Sequence, residues 1–272
     1  MNHLLLPHTH LCCVGDIHGE FEGLPAWFLK YDMQDTCIVF CGDIGLGFES
    51  EAYYEQLFPK LNRECKKRHL SLIFVRGNHD DPSYFICRKI NLSNIKAVPD
   101  YTILSVAGHH VLCIGGGISI DRIYRQSKMM SLAIKYARFH GCSIKEGEER
   151  AQHLYWLEEP PLYNEHCIVD IKDAGIMIDV VCSHAAPSFC EPTQKVGIEN
   201  WLALDPDLEK DITCERATMD HIYDRLVADG HPIKVWCYGH YHFHNVMEHN
   251  GIDFRLLDMS YHNSNYDSFE LN

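Results

Sequence analysis

Side chains of the kind that hold metal ions or move protons recur in this sequence just after short apolar runs. Asp16 and His18 follow LCCV, Asp43 follows TCIVF, Asn78 and His79 follow LSLIFV, His184 follows IMIDVVC, and His240 and His242 follow the run Ile233 to Tyr238. A single Asp or Asn after a strand is most often a helix cap or an Asx turn, and a histidine among apolar neighbours is most often a satisfied core group. Five strand ends carrying such residues together form a pattern that turn chemistry alone does not produce. Gly15, Gly19, Gly42, Gly77 and Gly239 adjoin them. Glycine lets backbone approach an ion or phosphate closely, and it equally serves ordinary turns. Mixed oxygen and imidazole donors suit Mn²⁺, Fe or Zn²⁺ better than Ca²⁺ or a thiolate-seeking ion. Divalent cations held by such donors activate water and stabilise charge on a reacting oxygen.

The elements that must position these groups are legible in outline. The apolar runs end in polar, glycine-bearing turns and read as buried strands, while Glu22 to Tyr31, Glu51 to Arg68 and Met129 to Ala137 have helical character. Alternating strand and helix predicts an α/β fold, whose ligands gather at the carboxyl ends of the strands. Tyr101 to Val106 and His110 to Ile114, separated by Ala107, Gly108 and His109, predict a hairpin, as do Val246 to His249 and Ile252 to Leu257 around Asn250-Gly251. The sheet is therefore expected to be mixed. The stretch from Ser119 to Pro161 reads as helical cover or a cap beside the site, and 187–215 as an acidic, loop-rich insertion. Without repeats or a long linker, one domain over 1–272 is expected.

Composition bounds the partners. A chain of 272 residues, 46% hydrophobic, can bury a substantial core. Its formal net charge of -14 argues against long DNA or RNA as a partner, because phosphate backbones are drawn to clustered Lys and Arg. A small phosphorylated or nucleotide-like substrate fits that balance better, and bound divalent cations would offset part of the acidity. The 13 cysteines are odd in number, several lie inside apolar runs, and none forms a CxxC pair. They read as core filler in a reduced protein. The N-terminus lacks a basic stretch and is broken by Pro7, and no segment has the length of a membrane span, so a soluble, cytoplasmic protein is expected.

GDIHG at 15–19, GD at 42–43, GNHD at 77–80, SH at 183–184 and GHYH at 239–242 resemble, in order and over nearly the whole chain, the motifs of the calcineurin-like metallophosphoesterases. The resemblance implies a four-layer α/β/β/α sandwich of two facing mixed sheets with a dinuclear metal site at one edge. It assigns Asp16, His18 and His242 to one metal, Asn78, His184 and His240 to the other, and Asp43 to a bridge between them. His79 is implied to contact the phosphate and help the leaving oxygen depart. As the immediate neighbour of Asn78 it cannot easily face the same metal, although it could instead orient Asn78. The implied activity is metal-dependent hydrolysis of a phosphate mono- or diester.

The sequence departs from the phosphoprotein phosphatase branch, where the second motif continues as GD, two residues, then Asp-Arg-Gly. Here it reads GDIGLGF, so Leu46 and Gly47 stand where the supporting Asp and the phosphate-gripping Arg would be. A protein serine/threonine phosphatase is thus a weaker alternative. A substitute clamp could come from Arg122 or Arg125 in GGGISIDRIYRQ, or from Arg76. Arg122 and Arg125 could equally begin a solvated helix capped by Asp121, and Arg76 could pair with an acidic neighbour. A non-catalytic scaffold of the same fold is the rival from another class. It would have no need to retain every buried polar ligand position.

Overall fold

The computed structural model describes residues 1–150, 153–195, 197–260 and 266–271. Two sheets form its centre. The first has five strands in the order β12-β2-β3-β4-β5: β2 (His10–Val14), β3 (Thr36–Phe40), β4 (Ser71–Phe74) and β5 (Ile95–Ala97) run parallel, and β12 (Ser268–Leu271) is antiparallel at the edge. The second has seven in the order β1-β6-β7-β8-β9-β11-β10. Its members are β1 (His3–Leu5), β6 (Thr102–Val106), β7 (His109–Ile114), β8 (Val180–Ser183), β9 (Val235–Tyr238), β10 (Asn245–His249) and β11 (Ile252–Leu256). β7, β8 and β9 are parallel, whereas the β6–β7 and β10–β11 hairpins are antiparallel. Both sheets are mixed, as expected.

Why the sheets face each other follows from the period-two alternation of strand side chains. Along β2, Leu11 and Cys13 point to one core while Cys12 and Val14 point to another. Along β7, Val111 and Cys113 share the core of Leu11 and Cys13, while Leu112 and Ile114 face away. The shared core is the layer between the sheets, and it is rich in Cys13, Cys37, Cys41, Cys113, Cys182 and Cys237. Small thiols let the sheets approach: Cys13 Sγ of the first lies 3.2 Å from Cys182 Sγ of the second. All the cysteines are free.

Each outer face carries helices. On the first sheet, α1 (Leu24–Lys30), α2 (Glu51–Lys67) and α3 (Ser83–Ile86) bury Trp27, Phe28, Phe58, Leu61 and Phe85 against Ile38, Phe40, Leu72 and Phe74. On the second, α6 (Glu165–Asp173) and α8 (Leu208–Ala228) bury Ile168, Ile171, Met219, Ile222 and Leu226 against Val181, Trp236 and Phe254. The layers are therefore helix, sheet, sheet, helix.

Several boundaries differ from expectation. The last core strand begins at Val235 rather than Ile233, and His109 belongs to β7, because Ala107 (φ 51°) and Gly108 (φ 78°) suffice for a two-residue turn. A 3₁₀ turn, Phe21–Gly23, precedes α1. The cover segment holds α4 (Arg122–His140) and α5 (Ile144–Arg150), far more helix than Met129 to Ala137 suggests; α4 ends at Gly141 in the left-handed region. The stretch 187–215 is loop only at first: α7 (Ile198–Leu202) and the start of α8 lie within it.

Candidate metal centre

Parallel β2, β3 and β4 of one sheet and β8 and β9 of the other bring their carboxyl ends to a single edge, and all the motif residues meet there. Asp16, His18, Asp43 and His242 offer donor atoms within 4.8 Å of one another, and so do Asp43, His184 and His240. Asp43 belongs to both groups. Asn78 joins the second, its Oδ1 being 2.8 Å from His184 Nε2.

The loops are held by each other's polar groups. The backbone N–H groups of Ile17 and His18 donate to the Asp43 carbonyl at 3.2 and 2.8 Å. The His240 N–H donates to the Asp16 carboxylate at 3.1 Å, and the His79 N–H to Asp43 Oδ1 at 2.8 Å. Asp80, a position sequence reasoning left without a role, accepts from the backbone of Ile44, Gly45, Leu46 and Gly77 at 2.8–3.1 Å. Its only signal was the last letter of GNHD. Burial first, then the Asp43 charge, pushes its carboxyl up to about 7, against the pull of those donors.

Four of the residues here carry backbone strain. His18 (φ 43°), Asp43 (φ 48°), His240 (φ 74°) and His242 (φ 53°) all lie in the left-handed region that residues with a Cβ avoid. Such conformations cost about 1–3 kcal/mol each and persist where surrounding structure enforces them. Gly42 and Gly77 explain the tight fit, since a Cβ at Gly42 would strike the His184 ring and one at Gly77 would strike Asp43.

The donor chemistry fits divalent cations. Asp43 Oδ2 is buried with no hydrogen-bond partner, an expensive state for a carboxylate. His184 Nδ1 donates to the Cys41 carbonyl at 2.8 Å, which turns the lone pair of Nε2 toward the cluster. Asn78 Nδ2 donates to Ser119 Oγ at 2.8 Å, which turns Oδ1 the same way. His184 Nε2 lies 3.1 Å from His240 Nδ1, and His18 Nε2 lies 3.2 Å from His242 Nε2. Lone-pair atoms converge this closely when a cation at about 2.0–2.2 Å from each is to lie among them.

Burial opposes charge on His184, yet Asp43 and Asp16 beside it push its imidazolium up to about 9, so a cation seated among these donors would have to displace the Nε2 proton. Burial lowers His240 well below the usual histidine range, with Lys195 and His184 adding to the effect. Asp43, despite burial, is held well below the carboxylate range by His184, His79 and His18. A carboxylate this strongly ionised, shared by two groups of imidazoles, is suited to bridging two cations.

His79 sits at the mouth. Its Nε2 is 3.8 Å from Asp43 Oδ2 and accepts from Arg125 Nη2 at 3.2 Å. Burial lowers its pKa well below the usual value, Asp43 pulling the other way and Arg125 adding to the lowering. The three arginines named from sequence part company. Arg125 alone reaches the centre. Arg76 is buried and spends its guanidinium on the carbonyls of Glu158, Glu159 and Pro160 and on Asp100 at 2.9–3.2 Å. Arg122 is paired with Asp205 and Asp211 at 2.6 Å. Both tie segments of cover to the fold and do not face the cluster.

Sequence reasoning also missed Lys195 and Glu215. Lys195 Nζ is 3.2 Å from His240 Nδ1. Glu215, on α8, is buried with Oε2 3.7 Å from His240 Nε2 and accepts from the Ile118 backbone N–H. Neither stands in a motif. Only its being a charged residue on the buried face of a helix could have marked Glu215.

Solved structures similar to this one include a dimetal phosphatase from Danio rerio, at 12% identity over 93% of this chain and 88% of that one, with a TM-score of 0.48. A phosphopantetheinyl hydrolase from Mycobacterium tuberculosis matches at 14% identity over 93% of this chain and 90% of its own, with a TM-score of 0.42. GAP50, the anchor in the inner membrane complex of Plasmodium, matches at 14% identity over 97% and 81%, with a TM-score of 0.47. No curated protein matches the sequence. The sequence profile of the calcineurin-like phosphoesterases matches residues 9–244, which span every motif at this edge, and the chain belongs to that family.

Proposed function

We propose that the protein is a metal-dependent phosphoesterase that hydrolyses a small phosphorylated or nucleotide-like substrate rather than long nucleic acid. One observation carries this reading: Asp43 Oδ2 is buried without a hydrogen-bond partner at the point where imidazoles from both sheets converge. Asp16, His18 and His242 would hold one divalent cation, and Asn78, His184 and His240 the other, with Asp43 shared. When bound, the two cations would generate a nucleophile from water at neutral pH and neutralise charge on the phosphoryl oxygens. Manganese, iron or zinc suits this donor set.

The remaining steps fall to the chain's own residues. His79, at the mouth and outside both donor groups, would touch the phosphoryl group, whose negative charge would offset the burial and let it carry a proton to the departing oxygen. Arg125 holds His79 in place through Nε2 and stands beside the same oxygens. Glu215 and Ser119 orient His240 and Asn78. Because both sheets supply donors, we take the chain as one working unit. Among the described residues no helix is long and apolar enough to cross a membrane, and the buried free thiols suit a reducing compartment such as the cytoplasm.

The test is hydrolysis of nitrophenyl phosphate and bis-nitrophenyl phosphate by metal-stripped protein reconstituted with Mn²⁺, beside Asp43→Asn and His79→Asn. Metal-dependent turnover that collapses in both variants supports the proposal. Full metal binding with no turnover of either ester would favour a non-catalytic scaffold.

A further inference from the structure

The mouth of the centre opens into a cavity of about 350 Å³ whose lining includes His79, Ser119, Arg125, Lys195, Trp201 and Tyr241. That is the lower end of the range for small-molecule sites. Its two basic side chains arrive from opposite sides. Arg125 projects from the first turn of α4, with Nε held by Asp121 Oδ1 at 2.7 Å and Nη2 on His79. Lys195 comes from the chain before α7 and places Nζ against His240.

Lys195 is the anomaly. The protein is strongly acidic, and Arg76 and Arg122 have their charges met by carbonyls and carboxylates. Among the described residues, no carboxylate lies within 4.0 Å of Lys195 Nζ, whose close polar neighbour is an imidazole. The carboxylates of Asp43, Asp16 and Glu215 lie farther off and are directed at the cluster, so an anion entering the cavity would supply the close partner this recessed ammonium lacks. A monoester phosphate brings about two negative charges and three terminal oxygens, whereas a diester brings one charge and two such oxygens. Cations on both flanks match the monoester. Trp201 adds a flat apolar wall to the same cavity, suited to stacking a planar ring.

We propose that Lys195 and Arg125 grip the phosphoryl oxygens of a phosphate monoester whose aromatic or heterocyclic alcohol part lies against Trp201. This assignment rests on the phosphoesterase reading above.

Wild type, Lys195→Ala, Lys195→Arg, Arg125→Ala and Trp201→Ala are each reconstituted with Mn²⁺ and their metal content measured. Inorganic phosphate binding is then followed by calorimetry, and KM is determined for nitrophenyl phosphate, bis-nitrophenyl phosphate and glycerol phosphate. With metal retained, Lys195→Ala and Arg125→Ala each weaken phosphate binding by about tenfold. They raise KM for the aryl monoester more than for the diester, and Lys195→Arg restores binding. Trp201→Ala raises KM for the aryl monoester more than for glycerol phosphate. Unchanged phosphate binding in Lys195→Ala overturns the grip. Loss of metal from that variant also overturns it, by assigning the lysine to the metal centre. An equal effect of Trp201→Ala on both monoesters overturns the aromatic wall. A wild type that binds metal and phosphate but turns over no ester sinks the phosphoesterase reading, while the calorimetry still decides the grip.

Discussion

His184 Nε2 and His240 Nδ1 face each other across 3.1 Å at the ends of neighbouring strands, and the acid that completes their group, Asp43, comes from the opposite sheet, 3.4 Å from His184. The centre thus spans the interface between the two sheets and depends on how they pack.

Asp43→Asn should therefore lower the affinity for divalent cations by more than about 100-fold, since even residues that only orient ligands are worth 10–100-fold. Mass spectrometry of dialysed protein reads this directly. In the wild type, saturating Mn²⁺ at about 100 times Kd should add about 2.7 kcal/mol and raise Tm. Asp43→Asn should lose that increment.

Gly42→Ala tests the close approach of the sheets. Gly42 has a φ of 97°, and an added Cβ would meet the His184 ring, which is completely buried. The variant should lose at least about 1–3 kcal/mol from backbone strain alone and fail to retain metal. Denaturant unfolding with metal analysis checks both. Normal metal content would show that the loop can shift without disturbing the histidine.

Arg76→Met separates a structural arginine from one that binds substrate. Removing its guanidinium strands three carbonyls and takes the charged partner from Asp100, which keeps the Gly115 N–H, at a cost of about 1–3 kcal/mol for each group left unsatisfied. Tm should fall steeply while KM of the protein that remains folded stays at the wild-type value. A selective rise in KM would instead place Arg76 on the substrate.

Glu159 supplies a pH dependence. Burial pushes its carboxyl from an ordinary 4.5 up to about 8, and its Oε2 has no partner. The folded protein keeps a proton that the unfolded chain gives up. The resulting stability is complete below about pH 4.5 and is lost as pH rises through 8. Glu159→Gln should be more thermostable than wild type at about pH 9, with the gap closing toward pH 5. A constant difference across that range would count against a protonated Glu159.

How far the sequence reaches depends on what each element is made of. β2, β3, β4 and β8 are runs of Val, Ile, Phe and Cys with polar turns at their ends, so their burial on both faces is written in their composition. β1, β5 and β12 are three or four residues long and exist only because a longer strand offers them an edge, which no local pattern records. α8 was hidden by its own chemistry, because its buried face includes Glu215 and Arg216 among Met219, Ile222 and Leu226. The motif ligands are legible because each must follow a strand directly. Lys195 and Glu215 reach the same point from cover segments, where placement depends on tertiary packing.

The division of ligands between the sheets also fixes when the centre can exist. As the chain leaves the ribosome, Asp16, His18, Asp43 and Asn78 appear with the first parallel strands, while His184 comes only after the cover helices and α6, and His240 and His242 only after α8. β12, which pairs with β2, follows later still. A nascent chain therefore carries half a site that has oxygen donors but lacks most of its imidazoles, and cation loading becomes a late event that waits for the two sheets to meet.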